Sequence, residues 1–371
     1  MTEELKITSI EAFKINFPLP EIKVGALPSL KQTTTFVTIL TNQGISGYGF
    51  GRYLTSEDSN IKFIKEALEP ILIGQSPFRI LQLWEKMYAY YRILLAPIIS
   101  ISSVEIALWD LVGKYYGAPI SKLLGLYQEE IPVYASGFRW SDENEMIKDV
   151  NSWKEKGFKG AKVRIGRDPI KDISLIKEMR KSVGDDFDIM VDANNNYDFQ
   201  TAVRVAEELY SLGVIWLEEP LKPEWLDQYS ELRKRTKMAI AGGEHNATLY
   251  QFHSILEKNA YDIIQPDTTR CGGISQVKKI AALAEAYGKI TNVHSWGSAL
   301  NVAVNLQVAA TLPNCSYMEY PMLPDAIMNG ILEDAFFIRN GMISVPGNPG
   351  IGVKINKDRI NEYIGGGKFL K

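Results

Sequence analysis

Between Lys162 and His294, short apolar segments end one after another in a polar residue. Ala-Lys-Val-Arg carries Lys162 and Arg164, and Ile-Met-Val-Asp-Ala-Asn carries Asp192 and Asn194. Ile-Trp-Leu-Glu-Glu-Pro carries Glu218 and Glu219, and Ile-Ala-Gly-Gly-Glu carries Glu244. Ile-Ile-Gln-Pro-Asp ends in Asp267 and Ile-Thr-Asn-Val-His in His294. The apolar part of each reads as a buried parallel strand, with the polar residue at its C-terminal end. Helical segments fill the gaps, so strand and helix recur about every 25 residues, the spacing of a (β/α)₈ barrel. In that architecture, strand-end polar groups converge on one face.

The flanks complete the count. Pro132 to Ser136 reads as a first strand and Ser316 to Tyr320, with Glu319, as an eighth. Residues 5 to about 55 look like β-structure, with Thr34 to Thr41 a strongly β-branched strand and Asn42-Gln43-Gly44 a turn signal. Pro18 to Lys31 is a loop too long for a simple hairpin, hence a candidate lid. Residues 57 to 125 turn helical, with Ser102 to Tyr116 apolar on most faces and stopped by Gly117 and Pro119. Strands followed by helices suggest an α+β unit ahead of the barrel. The expected class is α/β, with divisions at residues 1–126, 127–340 and a tail at 341–371 rich in Gly/Pro turns that packs back on the first unit.

Composition excludes several classes. A net charge of −3 without a basic run argues against nucleic acid as a partner. The 46% hydrophobic content supports a large core. The longest apolar stretch, Ile93 to Ile101, is too short to span a bilayer and contains Pro97. Two cysteines and a charged N-terminus without an apolar signal core fit a reducing, cytoplasmic setting. A small-molecule carboxylate substrate and a homo-oligomeric assembly are the expected partners.

Asp192, Glu218 or Glu219, and Glu244 close three successive strands. Such carboxylates repel one another unless a cation sits among them, and a set of hard oxygen donors without sulfur suggests Mg²⁺. Periodicity does not decide between Glu218 and Glu219. A single acid at a strand end is as readily a helix cap; three in consecutive strands are not so easily explained. Lys162 and Arg164, two apart, share one face of their strand. Ala161, Val163 and Ile165 are the natural helix-facing set, which turns the two cations into the barrel. His294 has a carboxylate, Asp267, at the neighbouring strand end, and such a partner fixes the imidazole tautomer and raises its basicity. His245 follows Glu244 and is placed to touch substrate or its surroundings, as is Asn194. His253 falls in a helix and reads as structural. Lys23, Arg52 and Tyr53, in the loops of the first unit, are candidates to reach the distal end of a substrate.

Taken together, Val-Asp-Ala-Asn, Trp-Leu-Glu-Glu-Pro, Gly-Gly-Glu-His, Gln-Pro-Asp with Gly272-Gly273, and the late His294 resemble the enolase superfamily, specifically its mandelate racemase subgroup. The resemblance covers nearly the whole chain. It implies a capping domain at the N-terminus, completed by the C-terminal tail. It implies that Asp192, Glu218 and Glu244 bind Mg²⁺, that Asp267 and His294 form an acid/base dyad, and that Glu319 hydrogen-bonds a substrate carboxylate oxygen, acting as a neutral donor. One departure stands out. The second strand of the subgroup often reads Lys-x-Lys, with the second lysine a base on the opposite substrate face; here Arg164 stands there, and arginine is a poor base.

The expected chemistry is abstraction of the proton alpha to a carboxylate. Mg²⁺, Lys162, Arg164 and Glu319 would stabilise the enediolate, and loss of a hydroxide from the next carbon would yield a 2-keto-3-deoxy acid. The first expectation is therefore an acid-sugar dehydratase, a lyase acting on an aldonic or aldaric acid. The alternative is a racemase, epimerase or cycloisomerase, in which Lys162 would serve as the second base. A non-catalytic barrel would show broken metal ligands, and none is broken here. Which acid sugar is used, and whether His294 or Lys162 takes the alpha proton, is not legible from sequence.

Overall fold

The computed structural model describes residues 4–21, 29–51, 57–137 and 142–364. Lys23, Arg52 and Tyr53 lie outside the described residues.

The N-terminal unit is built on an antiparallel sheet of β1 (Ile7–Asn16), β2 (Thr33–Thr41) and β3 (Ser46–Phe50). β2 is central and buried along almost its whole length, as its β-branched composition demands. The long helix Ile98–Tyr115 lies across this sheet and is buried on most faces. It comes close because β3 places Gly47 and Gly49 beneath it; a Cβ on Gly49 would stand 1.9 Å from the Ser103 carbonyl oxygen. The helix begins at Ile98, four residues before its expected start. Pro97 occupies the N-cap, where its missing N–H costs nothing, so the proline opens the helix.

The C-terminal unit alternates strand and helix. β4 (Glu130–Ser136), β5 (Gly160–Arg164), β6 (Asp188–Asp192), β7 (Val214–Glu218), β8 (Ile240–Gly242), β9 (Ile263–Ile264) and β10 (Ile290–Thr291) pair in order, each parallel to the next. β11 (Met318–Pro321) joins β4 from the other side, also parallel. Between β10 and β11, side chain replaces ladder. Asn292 Oδ1 accepts from Ser316 N and Tyr317 N, both at 3.0 Å, and Thr291 N donates to Asn314 O at 2.9 Å. This is the eight-stranded α/β barrel anticipated from the recurring pattern.

Parity sorts the strand residues. Ala161, Val163 and Ile165 are buried in the shell under the helices, together with Ile189 and Val191. The opposite parity forms a separate apolar plug of Tyr134, Met190, Trp216, Ala241 and Ile263, which fills the barrel interior. The polar residues stand at the C-terminal rim of that plug. The register aligns Lys162 with Met190, Arg164 with Asp192, and Asp192 with Glu218.

After the barrel, β12 (Ile338–Arg339) and β13 (Met342–Ser344) form a hairpin, and β13 pairs antiparallel with β4. The chain then reaches the N-terminal unit. Gly350 N donates to Ala118 O at 3.0 Å, and Ile351 N donates to Asp110 Oδ1 at 2.8 Å. The helix Lys357–Ile364 brings the Tyr363 ring edge-on to Phe17, 5.9 Å between centroids. Among the described residues, no helix is long and apolar enough to cross a membrane.

Candidate active site

Six carboxylates from strand ends and the residues just after them gather at one mouth of the barrel: Asp192, Glu218, Glu219, Glu244, Asp267 and Glu319. Three permanent cations stand among them, Lys162, Arg164 and Arg270, with the imidazoles of His245 and His294.

Lys162 is buried, with Nζ 2.5 Å from Glu218 Oε1 and 3.0 Å from Glu319 Oε1. Burial works to lower its pKa, but Glu218 and Glu319 outweigh this and hold it well above the ordinary lysine value. Arg164 Nη2 lies 3.3 Å from Asp192 Oδ2, and Asp192 Oδ1 accepts from Asn194 N at 2.8 Å. Asn194 thus reaches the site through its backbone. Glu218 also accepts from Gln265 Nε2 at 2.7 Å and from Trp216 Nε1 at 3.2 Å. Burial raises the Glu218 carboxyl to about 7 against the pull of Lys162, and Asp192, Glu319 and Glu244 add to the rise.

His294 is held from both sides. Nδ1 lies 2.8 Å from Asp267 Oδ2; a carboxylate only accepts, so Nδ1 carries the proton. Nε2 lies 2.9 Å from Glu244 Oε2 and 3.9 Å from Glu319 Oε2. Burial alone would lower the imidazole; Glu244, Glu319 and Asp267 overcome it and raise the pKa to about 10. Asp267 is itself locked by Thr269, whose N and Oγ1 both donate to Oδ1 at 2.8 Å, and by Asn305 Nδ2 at 3.3 Å.

Glu319 accepts from Ser136 Oγ at 2.7 Å and Ser295 N at 2.9 Å. Burial pushes its carboxyl up, but Lys162 and His294 bring it down to about 2. Glu319 thus stands between Lys162 Nζ at 3.0 Å and His294 Nε2 at 3.9 Å.

The acids divide by partner. Glu244 meets Arg270 Nη1 at 3.2 Å and His245 Nε2 at 3.5 Å as well as His294. Glu219, in a left-handed turn at φ 39°, points to His245 Nδ1 at 2.8 Å. Among the described residues, the acids and imidazoles whose ligand atoms lie within 4.8 Å of one another are Glu219, Glu244 and His245. Asp192, Glu218 and Glu244, the set expected from sequence, do not form such a group; each is turned to its own cation. They nevertheless suit a hard divalent ion. The donor set is all oxygen, and the six carboxylates gathered here outnumber the three permanent cations among them.

His253 is exposed on the helix Thr248–Glu257, away from this cluster. Sequence reasoning missed Arg270, Gln265, Ser136 and Ser295. Arg270 carried a signal, lying three residues after Asp267 in the same loop; the two serines carried none.

The N-terminal unit matches the family model described as mandelate racemase / muconate lactonizing enzyme, N-terminal domain, over residues 10–125. The barrel matches the one described as enolase C-terminal domain-like over residues 145–359. The chain belongs to the enolase superfamily, in its mandelate racemase group. Within that superfamily it is 34% identical over 333 residues to arabinonate dehydratase of Saccharolobus solfataricus, covering 88% of this chain and 89% of that one. It is 32% identical over 331 residues to D-galactarolactone cycloisomerase of Agrobacterium fabrum, covering 85% and 87%. The structure of L-talarate dehydratase from Polaromonas sp. JS666, complexed with Mg and L-glucarate, superposes with a TM-score of 0.86 at 26% identity, covering 97% of each chain. Superfamily relatives of this chain thus include both dehydratases and cycloisomerases, and the chain is an enzyme of that superfamily.

Proposed function

We propose that the protein is an Mg²⁺-dependent acid-sugar dehydratase, taking an aldonic or aldaric acid to a 2-keto-3-deoxy acid. The observation that carries the reading is an asymmetry of bases. On the β5 side, Lys162 is held cationic by two carboxylates and Arg164 is permanently charged. On the other side, His294 is raised chiefly by Glu244, 2.9 Å from Nε2, so it can exchange a proton at Nε2 once Glu244 turns away, with Nδ1–H still held by Asp267. One base suits elimination, whereas racemisation needs a proton acceptor on each face of the substrate.

Asp192, Glu218 and Glu244 are the residues to hold Mg²⁺, which when bound supplies a Lewis acid for the substrate carboxylate oxygens. His294 Nε2, freed from Glu244, takes the alpha proton. Lys162 and Arg164 place fixed positive charge where the enediolate oxygens develop. Glu319 keeps Lys162 in position from 3.0 Å. The Nε2–H then returns its proton to the hydroxyl leaving the neighbouring carbon, which departs as water. The resulting enol ketonises to the 2-keto acid.

The similarity to a cycloisomerase supports a second reading on the same residues. If the leaving oxygen belongs to a lactone or anhydro ring, the same single-base elimination opens the ring and the product is an isomer. The test is a panel of mono- and diacid sugars and their lactones, incubated with Mg²⁺ in D₂O and followed by proton NMR. Formation of 2-keto acid with loss of a hydroxyl is expected, and His294→Asn should lower kcat by about 10²- to 10⁴-fold. Deuterium at the alpha carbon with every hydroxyl retained would overturn the dehydratase reading.

A further inference from the structure

The loop carrying Asp267 and Arg270 is pinned by the N-terminal unit. Trp84 Nε1 donates to Gly272 O at 2.7 Å, and Gly272 N donates to Ser102 Oγ at 2.9 Å. Glu105 accepts from Ile274 N at 2.8 Å, Ser275 N at 2.9 Å and Trp109 Nε1 at 3.0 Å. Trp84, Ser102 and Glu105 are all buried. Glu105 thereby satisfies the free N–H groups opening the barrel helix Ile274–Ala286. The glycine pair leaves room for Trp84 and Glu105 to approach. Gly272 and Gly273 have φ of 111° and 100°, and a Cβ on Gly273 would stand 2.2 Å from Glu105 Oε2.

The pinned turn is short and stiff. Arg270 N and Cys271 N both donate to Asp267 O at 3.0 Å, and Thr248 N donates to Cys271 O at 3.0 Å. The Gly272–Gly273 turn is thus continuous with Asp267 and Arg270, which hold His294 and Glu244 by single contacts of 2.8 and 3.2 Å. We propose that Glu105, on the capping domain, is a positioning residue for the Asp267–His294 pair, acting through the Gly272–Gly273 turn. This rests on the reading of that pair as the acid and base. The capping domain so sets the geometry of the barrel's chemistry from a contact outside the substrate pocket.

The same helix supplies a control. Asp110 is an equally buried carboxylate that accepts from Tyr48 N at 2.7 Å and Ile351 N at 2.8 Å, and so ties the helix to β3 and the tail, not to the Asp267 loop. Glu105→Gln keeps the shape but turns an –NH₂ toward one of the N–H donors, whichever way the amide lies. Glu105→Gln, Asp110→Asn and wild type are compared by steady-state kinetics on the acid-sugar panel with Mg²⁺. In parallel, the low-field Nδ1–H proton of His294 is followed in ¹⁵N-histidine-labelled protein, which has only three histidines. Glu105→Gln is expected to lower kcat by about 10- to 100-fold with KM changed less than about twofold, and to shift or erase the Nδ1–H signal. Asp110→Asn should lower thermal stability and leave both readouts as in wild type. Should Glu105→Gln not fold, Ser102→Ala, which deletes one bond to Gly272 N, must move the same readouts in the same direction. Wild-type kcat and an unmoved signal in the folded variant would overturn the proposal, as would equal losses in Asp110→Asn. A wild type inactive on every acid sugar would refute the dehydratase reading instead, and the proton signal would still decide the positioning role.

Discussion

At the scale of single residues, the site is governed by which cation each carboxylate meets. Glu244 lies 2.9 Å from His294 Nε2 and is foremost among the groups that raise the imidazole against its burial, to about 10. A base that holds its proton so firmly cannot act until that carboxylate is drawn elsewhere. Glu244→Gln should therefore lower the His294 pKa, read from the imidazole ¹⁵N shifts of the metal-free protein. An unchanged midpoint would place the effect in Asp267 and Glu319. Stability follows the same sign. A histidine raised on folding stabilises fully below its unfolded value of about 6.5, and that contribution disappears as pH rises through the folded value. Wild-type stability should then fall between pH 6.5 and about 10 more steeply than that of Glu244→Gln, in denaturant titrations across that window.

At the scale of elements, close approach depends on what is missing from a side chain. Gly47 and Gly49 alternate on one face of β3, and the helix Ile98–Tyr115 lies directly on them. A Cβ at Gly49 would meet backbone, 1.9 Å from Ser103 O and 2.9 Å from Ala107 N, which cannot rotate away. Gly49→Ala should lower stability by roughly 1–3 kcal/mol or more, since the helix must lift from the sheet. Its urea midpoint should drop, while the same change at Gly44, which has open space around it but φ of 76°, costs only backbone strain. Equal midpoints for the two variants would mean that the helix has room to move.

At the scale of the whole molecule, the acids that suit Mg²⁺ stand at or just beyond the ends of three successive strands and come side by side only when those strands pair. Ion binding is therefore linked to folding. At about 100 times Kd, Mg²⁺ should add about 2.7 kcal/mol to stability. The thermal midpoint should rise with Mg²⁺ by calorimetry, and the rise should vanish in Asp192→Asn and Glu218→Gln. A rise that survives both substitutions would place the ion elsewhere, with Glu219, Glu244 and His245 the group to substitute next.

The recurring strand-and-helix pattern determined the barrel, because parallel strands buried on both faces must be apolar along their length and can carry polar groups only where they end. Strand parity likewise determined that Lys162 and Arg164 turn inward, since Ala161 and Val163 take the helix-facing side. Neighbouring glutamates show where such reasoning stops. Glu218 continues the strand and meets Lys162, while Glu219 swings into a left-handed turn toward His245, a backbone choice that alternation does not encode. The partners of Glu319 were also beyond reach, because Lys162, Ser136 and Ser295 are brought to it from elsewhere in the chain. The pinning of the Asp267 loop by Ser102 and Glu105 joins residues about 170 positions apart. Local sequence carries periodicity and turn chemistry; contacts over that separation exist only once the N-terminal unit and the barrel are packed together, so the tertiary structure alone decided them.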